Sequence, residues 1–155
     1  MHMHRLEKIW LTFGIAMLAV FLVVLGIGTF ALGMAPPSHH HSIDPTKVTE
    51  TAPFDKPGLT KLEDRRYEAV MTSFAFGYEP VNMEVPAGST VKFTLTSKDV
   101  VHGFQIPGTN VNTMVVPGQI SEVEHTFTKP GEYLILCNEY CGIAHEYMAT
   151  KIIVK

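Results

Sequence analysis

Cys137-Asn138-Glu139-Tyr140-Cys141-Gly142-Ile143-Ala144-His145-Glu146-Tyr147-Met148 separates two runs that read as β-strands, Gly131–Leu136 after a Pro130-Gly131 turn and Ala149–Val154 beyond it. The stretch reads as a loop joining two strands. A helix presenting positions i, i+4 and i+8 is the rival geometry, and Gly142 sits badly inside one. The stretch holds both cysteines of the chain, a histidine and a methionine at the spacing C-x3-C-x3-H-x2-M. Thiolate, thioether and imidazole are soft donors that suit copper, and thiolate with thioether selects it over harder cations.

Upstream of this loop the chain reads as short strands separated by turns. Candidate strands fall at 67–74, 81–85, Ser89–Ser97, 102–106, 113–116 and 122–127, punctuated by Pro86-Ala87-Gly88, Pro107-Gly108 and Pro117-Gly118. The clearest is Ser89–Ser97, where Val91, Phe93 and Leu95 alternate with Lys92, Thr94 and Thr96, the period of a half-buried strand. With the two strands that flank the loop, so many short strands over 67–155 imply a mainly β domain, a β-sandwich or Greek-key barrel. A copper or zinc centre wants a further ligand from elsewhere in such a sandwich. His102, in the loop directly after the best strand, is the first candidate. His125 is the alternative, but alternation puts it on the face of Val123 and Phe127, in or beside the core. Two plainer readings compete for the cysteines: a structural disulfide between Cys137 and Cys141, and zinc. The disulfide leaves His102, His145 and Met148 without a joint explanation, and zinc rarely recruits a thioether.

The N-terminal part has a different character. From Ile9 to Ser38 there is no charged residue, and as a helix 9–35 would be roughly 40 Å long, enough to cross a hydrocarbon core of about 30 Å. That is longer than the apolar region of about 7–15 residues in a cleaved signal peptide, so a retained transmembrane anchor is expected over 1–37. Arg5 and Lys8 precede the span and Lys47 is the first basic residue after it, which puts the N-terminus in the cytoplasm and the rest outside. Pro36-Pro37-Ser38-His39-His40-His41-Ser42 reads as a solvated hinge, and Pro45, Pro53 and Pro57 prevent a long helix, so 38–66 is expected as an extended linker, draped from residue 43 onward over a domain at 67–155. That domain carries five Lys/Arg against nine Asp/Glu, a balance that speaks against nucleic acid as a partner.

The pattern Cys137-x-Glu139-x-Cys141-x3-His145-x2-Met148, with His102 upstream in an Asp99-Val100-x-His102 context, resembles the dinuclear copper (CuA) motif of cytochrome c oxidase subunit II. The likeness runs through the single anchor, the linker, Phe74-Ala75-Phe76-Gly77-Tyr78-Glu79-Pro80, the Pro-Gly turns and the terminal Lys151-Ile152-Ile153-Val154-Lys155. One N-terminal helix, with the Phe-Ala-Phe-Gly-Tyr run, resembles the B-family haem–copper oxidases of prokaryotes. The resemblance implies a cupredoxin-like Greek-key sandwich on one transmembrane helix, holding two copper ions bridged by the thiolates of Cys137 and Cys141. By the same resemblance, His102 and Met148 complete one copper's shell, and His145 with the backbone carbonyl of Glu139 completes the other. Phe74, Phe76 and Tyr78 would lie near the surface where an electron donor docks. The implied role is electron entry, from cytochrome c or a similar one-electron donor to haem in a catalytic subunit I, on the outer face of a prokaryotic plasma membrane. That subunit would reduce oxygen to water and translocate protons. A mononuclear membrane-anchored cupredoxin carrier is the alternative, and it would leave one of the two thiolates surplus.

Overall fold

A computed structural model describes residues 3–34 and 38–155; His2 and the Pro36-Pro37 start of the expected hinge lie outside them. Met1–Ala35 and Pro36–Lys155 form separate compact units. In the first, α1 runs from Arg5 to Gly26. Its start is set by His4, whose ring accepts from the turn while Glu7 reaches back to the His4 amide at 2.9 Å, a reciprocal cap for orphan N–H groups. A π-type turn over Ile27–Ala31 continues it, and Gly33 ends it at φ +65°, where a side chain would be strained. None of the helix's residues is buried. An apolar surface exposed all round belongs in hydrocarbon.

The second unit is a sandwich of two mixed sheets built around the alternating strand. Numbered in chain order, the strands are β1 Ser38–Ser42, β2 Gly58–Glu63, β3 Arg66–Phe74, β4 Gly77–Glu79, β5 Met83–Val85, β6 Ser89–Ser97, β7 His102–Gln105, β8 Asn112–Val115, β9 Gln119–Phe127, β10 Gly131–Leu136 and β11 Ala149–Val154. One sheet has the order β1-β9-β6-β3-β2, with β4 on the end of β3; the other has β5-β11-β10-β7-β8. Strand β6 lies between β3, parallel to it, and β9, antiparallel. Val91, Phe93 and Leu95 have no exposed surface and meet Phe104, Ile135 and Ile152 of the facing sheet. Burying each such side chain contributes about 1.5–3 kcal/mol.

The opposite face of β6 is not solvated as its alternation implies. Thr94 and Thr96 are buried too, and Thr96 Oγ1 donates to the Gln119 carbonyl at 2.8 Å. Over this sheet packs the segment expected as an extended connector draped on the domain. Ile43, Val48 and Phe54 pack with Val70 and Ile120 as a second, smaller core, and β1 and β2 pair with β9 and β3 as the two edges of the sheet. The expected hinge ends in paired backbone: Ser38 opposes Glu122, His41 opposes Ile120 and Ser42 opposes Gln119, with the register shifting between Ser38 and His41. Proline prevents a helix here but not edge strands, whose outward N–H groups need no partner.

The site is placed by where strands end. Strand β10 stops at Leu136, opposite Ala149 where β11 begins, so the Cys137–Met148 stretch is the connection of one antiparallel pair. Leu136 also opposes Gln105 of β7, whose first residue is His102.

Candidate metal centre

The loop expectation holds over the helical one. Cys137 extends the β10–β11 ladder by one rung, its N–H donating to the Met148 carbonyl at 3.2 Å, and this fixes its sulfur at the rim of the core. The chain then turns through Gly142 at φ +135°, where a Cβ would stand 2.9 Å from the ring of Phe76. A single 3₁₀ turn over His145–Tyr147 closes with Met148 N–H on the His145 carbonyl, and returns Met148, 2% exposed, beneath the loop. The fold thereby converges the donors. Cys137 Sγ and Cys141 Sγ are 3.8 Å apart; Cys141 Sγ lies 3.5 Å from His145 Nδ1 and 3.6 Å from Met148 Sδ. The Glu139 carbonyl oxygen is 3.2 Å from Cys137 Sγ, while its side chain faces solvent. Both thiols are free, and their separation is far beyond the ~2.05 Å of a disulfide.

His102 is fully buried, and one of its ring nitrogens lies within 4.8 Å of both cysteine sulfurs. Its Nε2 meets Asp99 Oδ1 at 2.7 Å, whereas its Nδ1 is buried with no hydrogen-bond partner. A buried acceptor left unpaired costs about 1–3 kcal/mol, and a metal bound at that lone pair removes the cost. With Asp99 ionised the network assigns the proton to Nε2, the carboxylate–histidine arrangement that fixes a metal ligand's tautomer. Burial alone would raise the Asp99 carboxyl's pKa, but hydrogen bonds from His102, Val100 and Ala75 outweigh it and hold the group below its ordinary value. Burial and the adjoining Cys137 push the Cys141 thiol up to about 11, so metal binding there must displace a proton. Two thiols, a thioether and imidazole make a set that fits copper, with the Glu139 carbonyl as a harder oxygen donor at its edge.

Of the remaining residues singled out by sequence, His125 is not drawn into the cluster. Its ring packs on Phe127 at 4.7 Å, its Nδ1 meets Asn110 Oδ1 at 2.5 Å, and burial lowers its pKa. Phe74 is 36% exposed with the Lys98 ammonium 5.5 Å above its ring, and Phe76 is half-buried on Gly142. Tyr78 differs from the docking role expected of it: it is 2% exposed, edge-on to Phe104 in the core, and presents nothing to a partner. Sequence reasoning missed two further residues. Asp99 was visible only as context for His102, three residues away. At Gly103 a Cβ would fall 2.7 Å from the Asn138 nitrogen and 2.9 Å from that of Glu139, so the ligand loop closes on bare backbone.

Residues 77–155 match the family model described as cytochrome c oxidase subunit II, periplasmic domain. The chain is 42% identical over 153 residues, 96% of its own length and 91% of the relative's, to a cytochrome c oxidase subunit 2 of Thermus thermophilus. The chain belongs to the cytochrome c oxidase subunit II family. Among solved structures it is similar to a chain of a haem–copper terminal oxidase dimer, with a TM-score of 0.78 and 32% identity, covering 97% of this chain and all of that one. It also shares its fold with the periplasmic domain of subunit II from Bradyrhizobium japonicum, TM-score 0.53 over 57% of this chain and 83% of that one, at 22% identity. The sandwich is therefore cupredoxin-like. This subunit II is anchored by one N-terminal membrane-length helix and carries a CuA-type copper-binding site at His102, Cys137, Cys141 and Met148.

Proposed function

We propose that this subunit II holds two copper ions and is the electron-entry point of a B-family haem–copper oxidase. Copper supplies reversible one-electron chemistry when bound there. The chain's own part is to hold the ligands so that little moves. Cys137 and Cys141 would hold both ions between them, with His102 and Met148 available to one and His145 and the Glu139 carbonyl to the other. The observation that carries this reading is the sulfur pair itself. Cys141 Sγ is flanked by both His145 and Met148, and Cys137 Sγ by the Glu139 carbonyl, so neither thiol is surplus. No general acid or base is poised over a substrate site among these residues, so the centre moves electrons rather than transforming a bound molecule.

The donor is a cytochrome c or an equivalent one-electron carrier, and the acceptor is haem in the catalytic subunit I, which reduces oxygen to water and translocates protons. Tyr140, Ile143 and Tyr147 of the ligand loop are 76%, 90% and 79% exposed and give the site an apolar rim for such contacts. Residues 1–37 are assigned to a cytoplasmic terminus and the anchor, and 67–155 to the copper domain on the outer side of a prokaryotic plasma membrane. Within that scheme 38–66 is the connecting strap that packs on the domain. The experiment is copper counting and visible spectroscopy on the full chain in detergent. Wild type and His125→Ala should each bind two coppers and be purple. Cys141→Ser should lose both properties; a Cys141→Ser protein that keeps the colour refutes the shared-thiolate reading.

A further inference from the structure

Tyr78 joins the core to the metal site through one backbone residue. Its ring is held edge-on at 5.7 Å from Phe104, and its hydroxyl donates to the Gly103 carbonyl at 2.5 Å. Gly103 follows His102 and donates its own N–H to Cys137 Sγ at 3.4 Å. Gly103 lies opposite Met114 in the β7–β8 ladder, and with no side chain of its own it meets the Asn138–Glu139 backbone, Tyr78 and Cys137 through its peptide groups alone. The partner is a carbonyl oxygen, which can only accept, so the phenol is the donor.

We propose that Tyr78 is a positioning residue for the copper centre: its hydroxyl, fixed on the Gly103 carbonyl, holds the Gly103 amide on the Cys137 sulfur. A hydrogen bond to sulfur draws electron density from the thiolate and favours the reduced metal, so Tyr78 sets the reduction potential upward without touching copper. This inference rests on the copper reading above, and the experiment separates the two by including the metal-free protein.

The test is Tyr78→Phe in the full chain in detergent, which keeps the ring and removes the hydroxyl. In metal-free protein labelled with ¹⁵N-glycine, the Gly103 amide should shift and exchange about fivefold faster, the factor equivalent to a net hydrogen bond of ~1 kcal/mol. In copper-loaded protein the potential should fall and the copper hyperfine splitting should change. Phe54→Leu, a truncation in the second, smaller core, should lower the melting temperature yet leave the amide and the potential alone. If Tyr78→Phe does not fold, 3-fluorotyrosine at position 78 decides: a stronger donor of nearly the same shape must raise the potential. A Gly103 amide and a potential unmoved in Tyr78→Phe, or unmoved with fluorotyrosine, overturn the proposal. Wild-type protein that binds no copper fails the copper reading instead, while the metal-free arm still tests the hydroxyl.

Discussion

Gly103 and Asp99 show how single residues hold the donors. A Cβ at Gly103 would collide with Asn138 Oδ1, which can swing away, but would also stand 2.7 Å from the Asn138 nitrogen, which cannot without moving the ligand loop. Gly103→Ala should therefore destabilise the metal-free domain by about 1–3 kcal/mol. It should also weaken copper binding about tenfold, the equivalent of 1.4 kcal/mol. Thermal melts and chelator competition measure both, and an unchanged pair of values contradicts the packing. Asp99→Asn keeps the shape but loses the charge that orients His102, so copper affinity should drop about tenfold or more. The carboxyl is also a pH marker. Because its folded pKa lies below its ordinary value, its contribution to stability is complete above about pH 4 and is lost as pH falls through the folded pKa. Metal-free wild type should thus lose its stability advantage over Asp99→Asn on acidification below about pH 4. An advantage that stays constant across that window contradicts the assignment.

At the scale of elements, the second core is the sharpest test of the strap. Phe54 is 1% exposed among Ile43, Val48 and Val70, so Phe54→Ala should cost about 3–5 kcal/mol. The melting temperature should fall on the order of 10 °C while the copper spectrum stays the same. A thermally neutral Phe54→Ala would contradict the packing of this segment on the sheet. The sequence shows an extended connector over the domain but not its two edge strands. Strand β6 was legible because Val91, Phe93 and Leu95 alternate against one buried face. Strand β2 is edge backbone whose side chains from Thr60 to Glu63 are exposed, and so it has no apolar period to read. Strand β1 joins the sheet through the backbone of a polar run, and its pairing leaves no trace in composition. The ligands were legible for the opposite reason: soft donors are rare, and their spacing in one loop has few other meanings. What spacing could not show was direction. Tyr78 is in an aromatic run whose members point differently, and only the sheet decides that Phe74 reaches the surface and Tyr78 the core.

For the whole molecule, the length of α1 matches its task. Its 22 residues span about 33 Å at 1.5 Å each, close to a hydrocarbon core of about 30 Å. The membrane thus ties to one chain a rigid sandwich whose only cluster of soft donors, among the described residues, lies at the rim of its core. Everything asserted of its role turns on whether those sulfurs serve one metal or two. Electron paramagnetic resonance of the oxidised, copper-loaded full chain measures this most directly. One unpaired electron should be split equally by two copper nuclei, at two coppers per chain. A pattern from a single nucleus at one copper per chain, or a silent protein with Cys137 bonded to Cys141, would contradict the two-copper reading.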